Sequence, residues 1–298
     1  MVLNVFKKRP LLWLYVAGAL LILVAAWLWC FKASVDPERV FWATIERSLS
    51  THGVTVESKD SANGTGSEQT IRYSLGADNL SHSLTTLTQG ATTITNEMIG
   101  TPTVDYTRYV DIKTDQKKAD GTDMDFSKLL GVWAKGPEGS NQLFSQAVFG
   151  ASLPIGGVGV PVGNLSPDIR TELVNQIRDD NVYQVDFDKT KKENVDGRLQ
   201  YTYSATIRTE AYVALMKKYI QSVGLHGLDQ ANPDDYKGQP PFKLDITVDA
   251  RSHQVVRVTA PDTGSTQTYS NYDVPVQIEL PEDAITGAEL QKRLAELQ

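Results

Sequence analysis

The apolar positions change their period several times along the chain, and each change marks an element. Phe41, Ile45 and Leu49 recur at helical spacing, Asp36 can cap them and Pro37 suits a first turn, so a helix is predicted that ends at Gly53. ESKDSANGTGSEQ, residues 57–69, lacks a large apolar side chain and reads as a loop. From Thr70 the period drops to two. TIRYSL, HSLTTLTQ, TTITNEMI and TVDYTRYVDIK predict a meander of antiparallel strands, the last with Val104, Tyr106, Val110 and Ile112 on one face.

Between about Asp115 and Asp180 this rhythm breaks. DFSKLLGVWA and NQLFSQAVFG read as short helices, and SPDIRTELVNQIRDD as a longer one, with Ser166 as cap and Ile169, Leu173 and Ile177 aligned. Strands return in VYQVDFD and RLQYTYSATI, joined through the turn ENVDGR with Gly197. A helix follows in TEAYVALMKKYIQSVG, closed by Gly224. After the polar loop DQANPDDYKGQPP come the strands FKLDITVD, QVVRVTA and TQTYSNY. In DVPVQIELP the apolar Val274, Val276, Ile278 and Leu280 alternate with Pro275, Gln277 and Glu279, which predicts a final strand, and its proline places that strand at a sheet edge. Thr286 and Glu289 make a capping box for a last helix with the stripe Leu290, Leu294 and Leu297.

One segment stands apart from both periods. Leu11–Phe31 carries no charge over 21 residues, and as a helix at about 1.5 Å per residue it would reach the thickness of a bilayer's hydrocarbon core. Trp13, Tyr15, Trp27 and Trp29 suit the two interfaces, and Lys7, Lys8 and Arg9 predict a cytoplasmic N-terminus. The expected organisation is a cytoplasmic tail over 1–10, a transmembrane helix over 11–31 and an extracytoplasmic domain over 32–298, in a cell membrane crossed once. A cleaved signal peptide is the competing reading, with Ala33 as its cleavage residue. Cys30 is the chain's single cysteine, so no intramolecular disulfide can form.

Charge narrows the partners. Residues 1–32 hold four of the 29 bases and no acid, so residues 33–298 carry 25 bases against 36 acids, a net of −11. That balance repels phosphate backbones and excludes nucleic acid as an expected partner. The chemistry of catalysis is thin. His52, His82, His226 and His253 show no ligand spacing and read as solvated surface residues, and neither a nucleophile elbow nor a phosphate-binding loop occurs. Asp120, Asp123 and Asp125 cluster, but Gly131 stands where a calcium loop requires Glu. The expectation is a chain that is not an enzyme and uses no cofactor and no metal.

The order of helix, strands, helical insert, hairpin, helix and strands predicts an α+β domain on an antiparallel sheet. The run FKLDITVDARSHQVVRVTA followed by TYSNYDVPVQIELPEDA resembles the closing strands of the LolA/LolB-like extracytoplasmic lipoprotein carriers, which end in a similar Y-x-x-Y-x-x-P-V-x-I-x-x-P pattern. That resemblance implies a curved antiparallel sheet, a half-barrel, with helices on the concave face and an apolar ligand between them, here preceded by one transmembrane helix. A tethered carrier cannot travel between membranes, so the resemblance implies local handling of lipid or a lipidated protein.

The apolar, glycine-rich ASLPIGGVGVPVGNL has two readings: a connector buried under the helices, or a mobile lid. As a lid it would place Val148, Phe149, Leu153, Ile155, Val158 and Val160 at the mouth of an apolar cleft. Two functions from different classes follow. One is a membrane-anchored binding protein for lipid or another apolar ligand. The other is a non-catalytic envelope scaffold, in which the same fold meets a protein partner through its acidic surface or the Leu290 stripe.

Overall fold

The computed structural model describes residues 18, 20–24, 36–62, 65–76, 79–118, 120–137, 159–225 and 228–297. Among these, thirteen strands form one sheet, antiparallel except for one pairing at an edge. Helix α1 (Pro37–Ser48) leads into a five-strand meander of β1 (Gly53–Ala62), β2 (Thr65–Ser74), β3 (Leu80–Gln89), β4 (Thr92–Gly100) and β5 (Asp105–Lys113), followed by the short β6 (Ala134–Lys135). Helix α2 (Pro167–Asp179) precedes β7 (Tyr183–Val185), β8 (Lys191–Val195), β9 (Arg198–Ile207) and helix α3 (Thr209–Ser222). Strands β10 (Phe242–Asp249), β11 (Gln254–Ala260), β12 (Ser265–Ser270) and β13 (Ile285–Thr286) then lead into helix α4 (Gly287–Ala295).

Across the sheet the order runs β13-β6-β5-β4-β3-β2-β1-β12-β11-β10-β9-β7, with β8 also on β9. Strand β12 lies between β11 and β1, so the last part of the chain closes onto the first. One face of β9–β12, β1 and β2 presents Tyr201, Tyr203, Ile246, Val248, Val258, Tyr269, Val56, Ile71 and Tyr73 to the helices. Val40, Phe41, Ile45 and Leu49 of α1, Leu173 and Ile177 of α2, and Leu215, Met216, Tyr219 and Ile220 of α3 fill that layer. The helices form because these positions recur at 3.6-residue spacing and their termini are provided for. Asp36 accepts from the Glu38 amide at 3.1 Å, and prolines open α1 and α2.

Phe41 sits at the centre of the aromatic core, edge-on to Trp42, Tyr183, Phe187 and Tyr203 at centroid separations of 5.2–6.0 Å. The core tyrosines reach main-chain acceptors. Tyr203 donates to the Pro37 carbonyl at 2.7 Å, Tyr183 to Gly159 at 2.6 Å, and Tyr219 to Val162. Burial pushes the Tyr73, Tyr183 and Tyr219 phenols upward, so they stay neutral donors.

The expected fold needs correction. In place of an α+β half-barrel with helices on its concave face and a transmembrane helix before it, the described residues form a large, mostly antiparallel sheet with few helices. Among the described residues no helix is long and apolar enough to cross a membrane. Of the Leu11–Phe31 stretch they include only Gly18 and Leu20–Val24, which are helical.

Two local misreadings lowered the expected strand share. Residues 57–62 and 65–69, expected as loop, are arms of the β1–β2 pair, matched from Gly53–Ser74 to Ala62–Thr65. These arms are wet on both faces, so no apolar alternation betrays them. In sequence, the Asn-Gly that separates them is the pair a two-residue hairpin favours. Residues 125–134, expected as a helix, form turns ending in β6. NQLFSQAVFG lies outside the described residues.

The expected final strand is also corrected. Residues 274–284 form no ladder, and among the described residues they make a single main-chain hydrogen bond, from the Val274 amide to Asn271. The reason is topological. Strand β12 already has a neighbour on each side, so the chain after it finds no free edge, and Pro275 and Pro281 lack a ladder donor.

The aromatic core yields the first prediction. Phe41→Ala removes the ring on which four others converge, and should lower the unfolding free energy by about 3–5 kcal/mol. A urea titration followed by circular dichroism measures it; a loss below about 1 kcal/mol would mean that Phe41 does not hold this core together.

Candidate functional site

After β12 the chain must travel from beside β1 to β13, which pairs with β6 at the far edge. Five strand spacings of about 4.8 Å separate β1 from β6, roughly 24 Å. Eleven residues in a helix would cover only about 16 Å, whereas extended they reach about 36 Å. Residues 274–284 therefore run as an extended strap over the face of β2–β5 opposite the helices.

Both ends of the strap are fastened. At its start the Asp273 amide donates to the Gly53 carbonyl at 2.8 Å. The Asp273 carboxylate accepts from Arg47 at the end of α1 and from the His52 amide at 2.8 Å. Asn271 and Asp273 both adopt a left-handed backbone, at φ 52° and 56°, which turns the chain out of β12. At the other end the Ile285 amide donates to Trp133 at 2.9 Å, and Leu290 and Leu294 of α4 pack with Leu129, Ala134 and Phe126. The Leu290 stripe is thus used inside the molecule.

Between these anchors the strap roofs a cleft of about 290 Å³. Its roof is Val276, Gln277, Ile278 and Glu279; its floor is Arg72, His82, Glu97, Ile99 and Arg108, with Trp133 at the side. The alternation in the sequence survives only in part: Val276 and Ile278 are half-buried between the exposed Gln277 and Glu279, but Val274 and Leu280, expected on the same inward side, are 50% and 46% exposed. Beneath them Ile99 is only 5% exposed, on a face that would otherwise be wet.

The floor is built by strand register. Arg72 stands opposite His82, His82 opposite Ile99, and Glu97 opposite Arg108, so residues from four strands share one face. Glu97 joins them. It lies 2.7 Å from His82 Nε2, accepts from Arg108 Nε at 2.6 Å, and is only 17% exposed. Burial pushes the Glu97 carboxyl upward, but the hydrogen bonds from His82 and Arg108 and the Arg108 charge outweigh it and hold the group below its usual 4.5. Arg108 also lies over the Trp133 ring, 4.6 Å from the centroid.

The arrangement is a fixed, hydrogen-bonded triad beside Arg72, which forms no ion pair among the described residues. A carboxylate-oriented imidazole could move a proton, but no lining residue carries a hydroxyl or thiol to act as a nucleophile. The sequence reading missed this site because its members lie far apart in the chain and each looks like an ordinary strand residue. His82, expected as a solvated histidine, has its side chain 23% exposed and is held by Glu97.

The other sequence candidates fall elsewhere. Val148, Phe149, Leu153, Ile155 and Val158 lie outside the described residues, as does His226. Val160 is fully buried, and the chain beside it is pinned: Gly163 donates to Ser48, Thr51 donates to Gly163, and a Cβ at Gly159 would stand 2.4 Å from Leu244 Cδ1. Asp120 and Asp125 cap turns at Thr122 and Ser127, and Asp123 pairs with Lys117. Among the described residues no three His, Cys, Asp or Glu are placed to hold a metal ion. Comparison with models of known protein families finds no match, and comparison with curated proteins finds none either.

Two predictions follow from the geometry. Because Glu97 titrates below its unfolded value, its contribution is complete above about pH 4.5 and is lost as acid protonates it. The stability gap between wild type and Glu97→Gln should therefore be widest near neutrality and narrow below pH 4; a constant gap across denaturant melts from pH 3 to 7 would contradict an ionised Glu97. Asp273→Ala removes the acceptor for both Arg47 and the His52 amide. Hydrogen exchange in β1–β5 should then stay unchanged while limited proteolysis within 274–284 speeds up severalfold; equal cleavage rates would show that the carboxylate does not fasten the strap.

Proposed function

We propose that this chain is a non-catalytic binding module, whose ligand or partner group enters the cleft between the strap and the outer face of β2–β5. One observation carries this reading: the cleft has a rigid, charged floor, prepared by the Glu97 triad, under a roof held only at its ends. Binding sites combine such fixed polar groups with a cover that can adjust. This favours the interaction module over the carrier of apolar cargo. The lipid reading draws on residues 148–158, outside the described chain, and the described core is filled by its own side chains. A location outside the cytoplasm and association with a membrane belong to the same proposal, supported by Lys7, Lys8 and Arg9 ahead of the apolar run.

Thermal melts of the purified protein against amino acids, dipeptides, sugars, nucleotides and fatty acids test the reading. A polar compound at 100 times its dissociation constant should add about 2.7 kcal/mol and raise the melting temperature by several degrees. The rise should vanish in Val276→Trp, which enlarges a half-buried side chain of the roof. Should fatty acids alone stabilise the protein, equally in wild type and variant, the apolar carrier becomes the better account.

A further inference from the structure

The strap has the backbone of a strand and no neighbour to pair with. Between Pro275 and Pro281 the main-chain amides and carbonyls of residues 276–280 bond to no described residue. The side chains fix where these groups point. Val276 and Ile278 are half-buried over the floor while Gln277 and Glu279 are exposed, so the hydrogen-bonding edges lie sideways along the outer face of the sheet. On that face stands Leu84, two residues from His82 on β3 and opposite Thr70 and Glu97 on the neighbouring strands, with 42% of its surface exposed. Residues 274–284 also hold Glu279, Glu282 and Asp283 and no base, and none of the three acids forms an ion pair among the described residues.

Resting on the binding-module reading, we infer that the partner is a protein whose extended, basic segment pairs edge-on with residues 276–280 and lies beside the strap on the outer face of the sheet. Main-chain bonds hold such a segment, and its alternate side chains select it. Here the inward row meets Leu84 and Thr70, and the outward row meets the acids of the strap. The prolines flank the pairing run without interrupting it, and an edge is where proline belongs. They limit the contact to five residues, about 17 Å of strand. A second copy of this chain is a poor occupant, because strap against strap would set like charges against each other. An acyl chain would leave the free amides unused.

The test is calorimetry on the full chain with three peptides: Ac-KVTVTVK-NH2, its acidic counterpart Ac-EVTVTVE-NH2, and Ac-KVTPPVK-NH2, whose prolines remove a donor from each edge. The first should bind, and the other two about tenfold more weakly or worse. Hydrogen exchange at alternate amides within residues 276–280 should slow about tenfold in the complex. Alternate residues of a strand bond to the same neighbour, so one of Gln277→Pro and Ile278→Pro should weaken the basic peptide about tenfold while the other changes it less than about twofold. If either variant unfolds, the pattern of protected amides in the unaltered chain reads the same parity. Leu84→Ser, at an exposed position, should weaken the peptide severalfold with an unchanged melt. The inference is overturned if the acidic or the interrupted peptide binds as tightly as the basic one, or if the basic peptide binds and protects none of these amides. Where a polar compound of the melting panel binds and no peptide does, the strap pairing falls and the module reading stands; where nothing in either set binds, both fall.

Discussion

The pairing of β1 with β12, Thr55–Lys59 against Thr266–Ser270, is the constraint on which the rest of the molecule depends. It joins residues more than two hundred positions apart and welds the N-terminal meander to the C-terminal strands, so a single sheet extends from β7 to β13. Closing so long a loop carries a large entropic cost, which the apolar layer offsets by continuing across the seam through Val54, Val56 and Tyr269. The same pairing leaves the chain after β12 in the middle of the sheet. Its remaining contact, β13 on β6, lies at the edge, and the only route there crosses the face that the helices do not cover.

The cleft is a by-product of that route. Denied an edge in this sheet, the strap lies on side chains, and the side chains under it are those of an outer sheet face, polar and charged. Covering charges is expensive unless they are paired. His82 and Arg108 converge on Glu97 and satisfy its carboxylate, which lets Ile99 and the triad lie under cover together. Arg72 and Glu279 are exposed and form no ion pair among the described residues. The cleft thus joins a fixed, charged floor to a roof held at its ends.

Helices α1 to α4 were legible in the sequence, down to the roles of Asp36, Pro37, Pro167 and Thr286, because caps and 3.6-residue spacing are local signals. The β8–β9 hairpin was legible too: Asp196 and Gly197 take φ 51° and 77°, as the turn in ENVDGR requires. Residues 57–69 were not, since a strand wet on both faces has no apolar period to read. Nor was the triad of His82, Glu97 and Arg108. Its members meet through cross-strand register, which single-strand alternation does not encode.

Residues 268–284 divide the two kinds of information most clearly. Their alternation marked four positions for the inward side, which Val276 and Ile278 take and the exposed Val274 and Leu280 do not. Whether that inward side would be a strand's core face or the roof of a cleft depended on which sheet edges remained free, and β1 and β11 had already taken both sides of β12. Periodicity is a property of neighbours in the chain, whereas hydrogen-bonding partners are allotted across the whole sheet, so the sequence by itself determined the orientation of Val276 and Ile278 and only the tertiary structure decided the element.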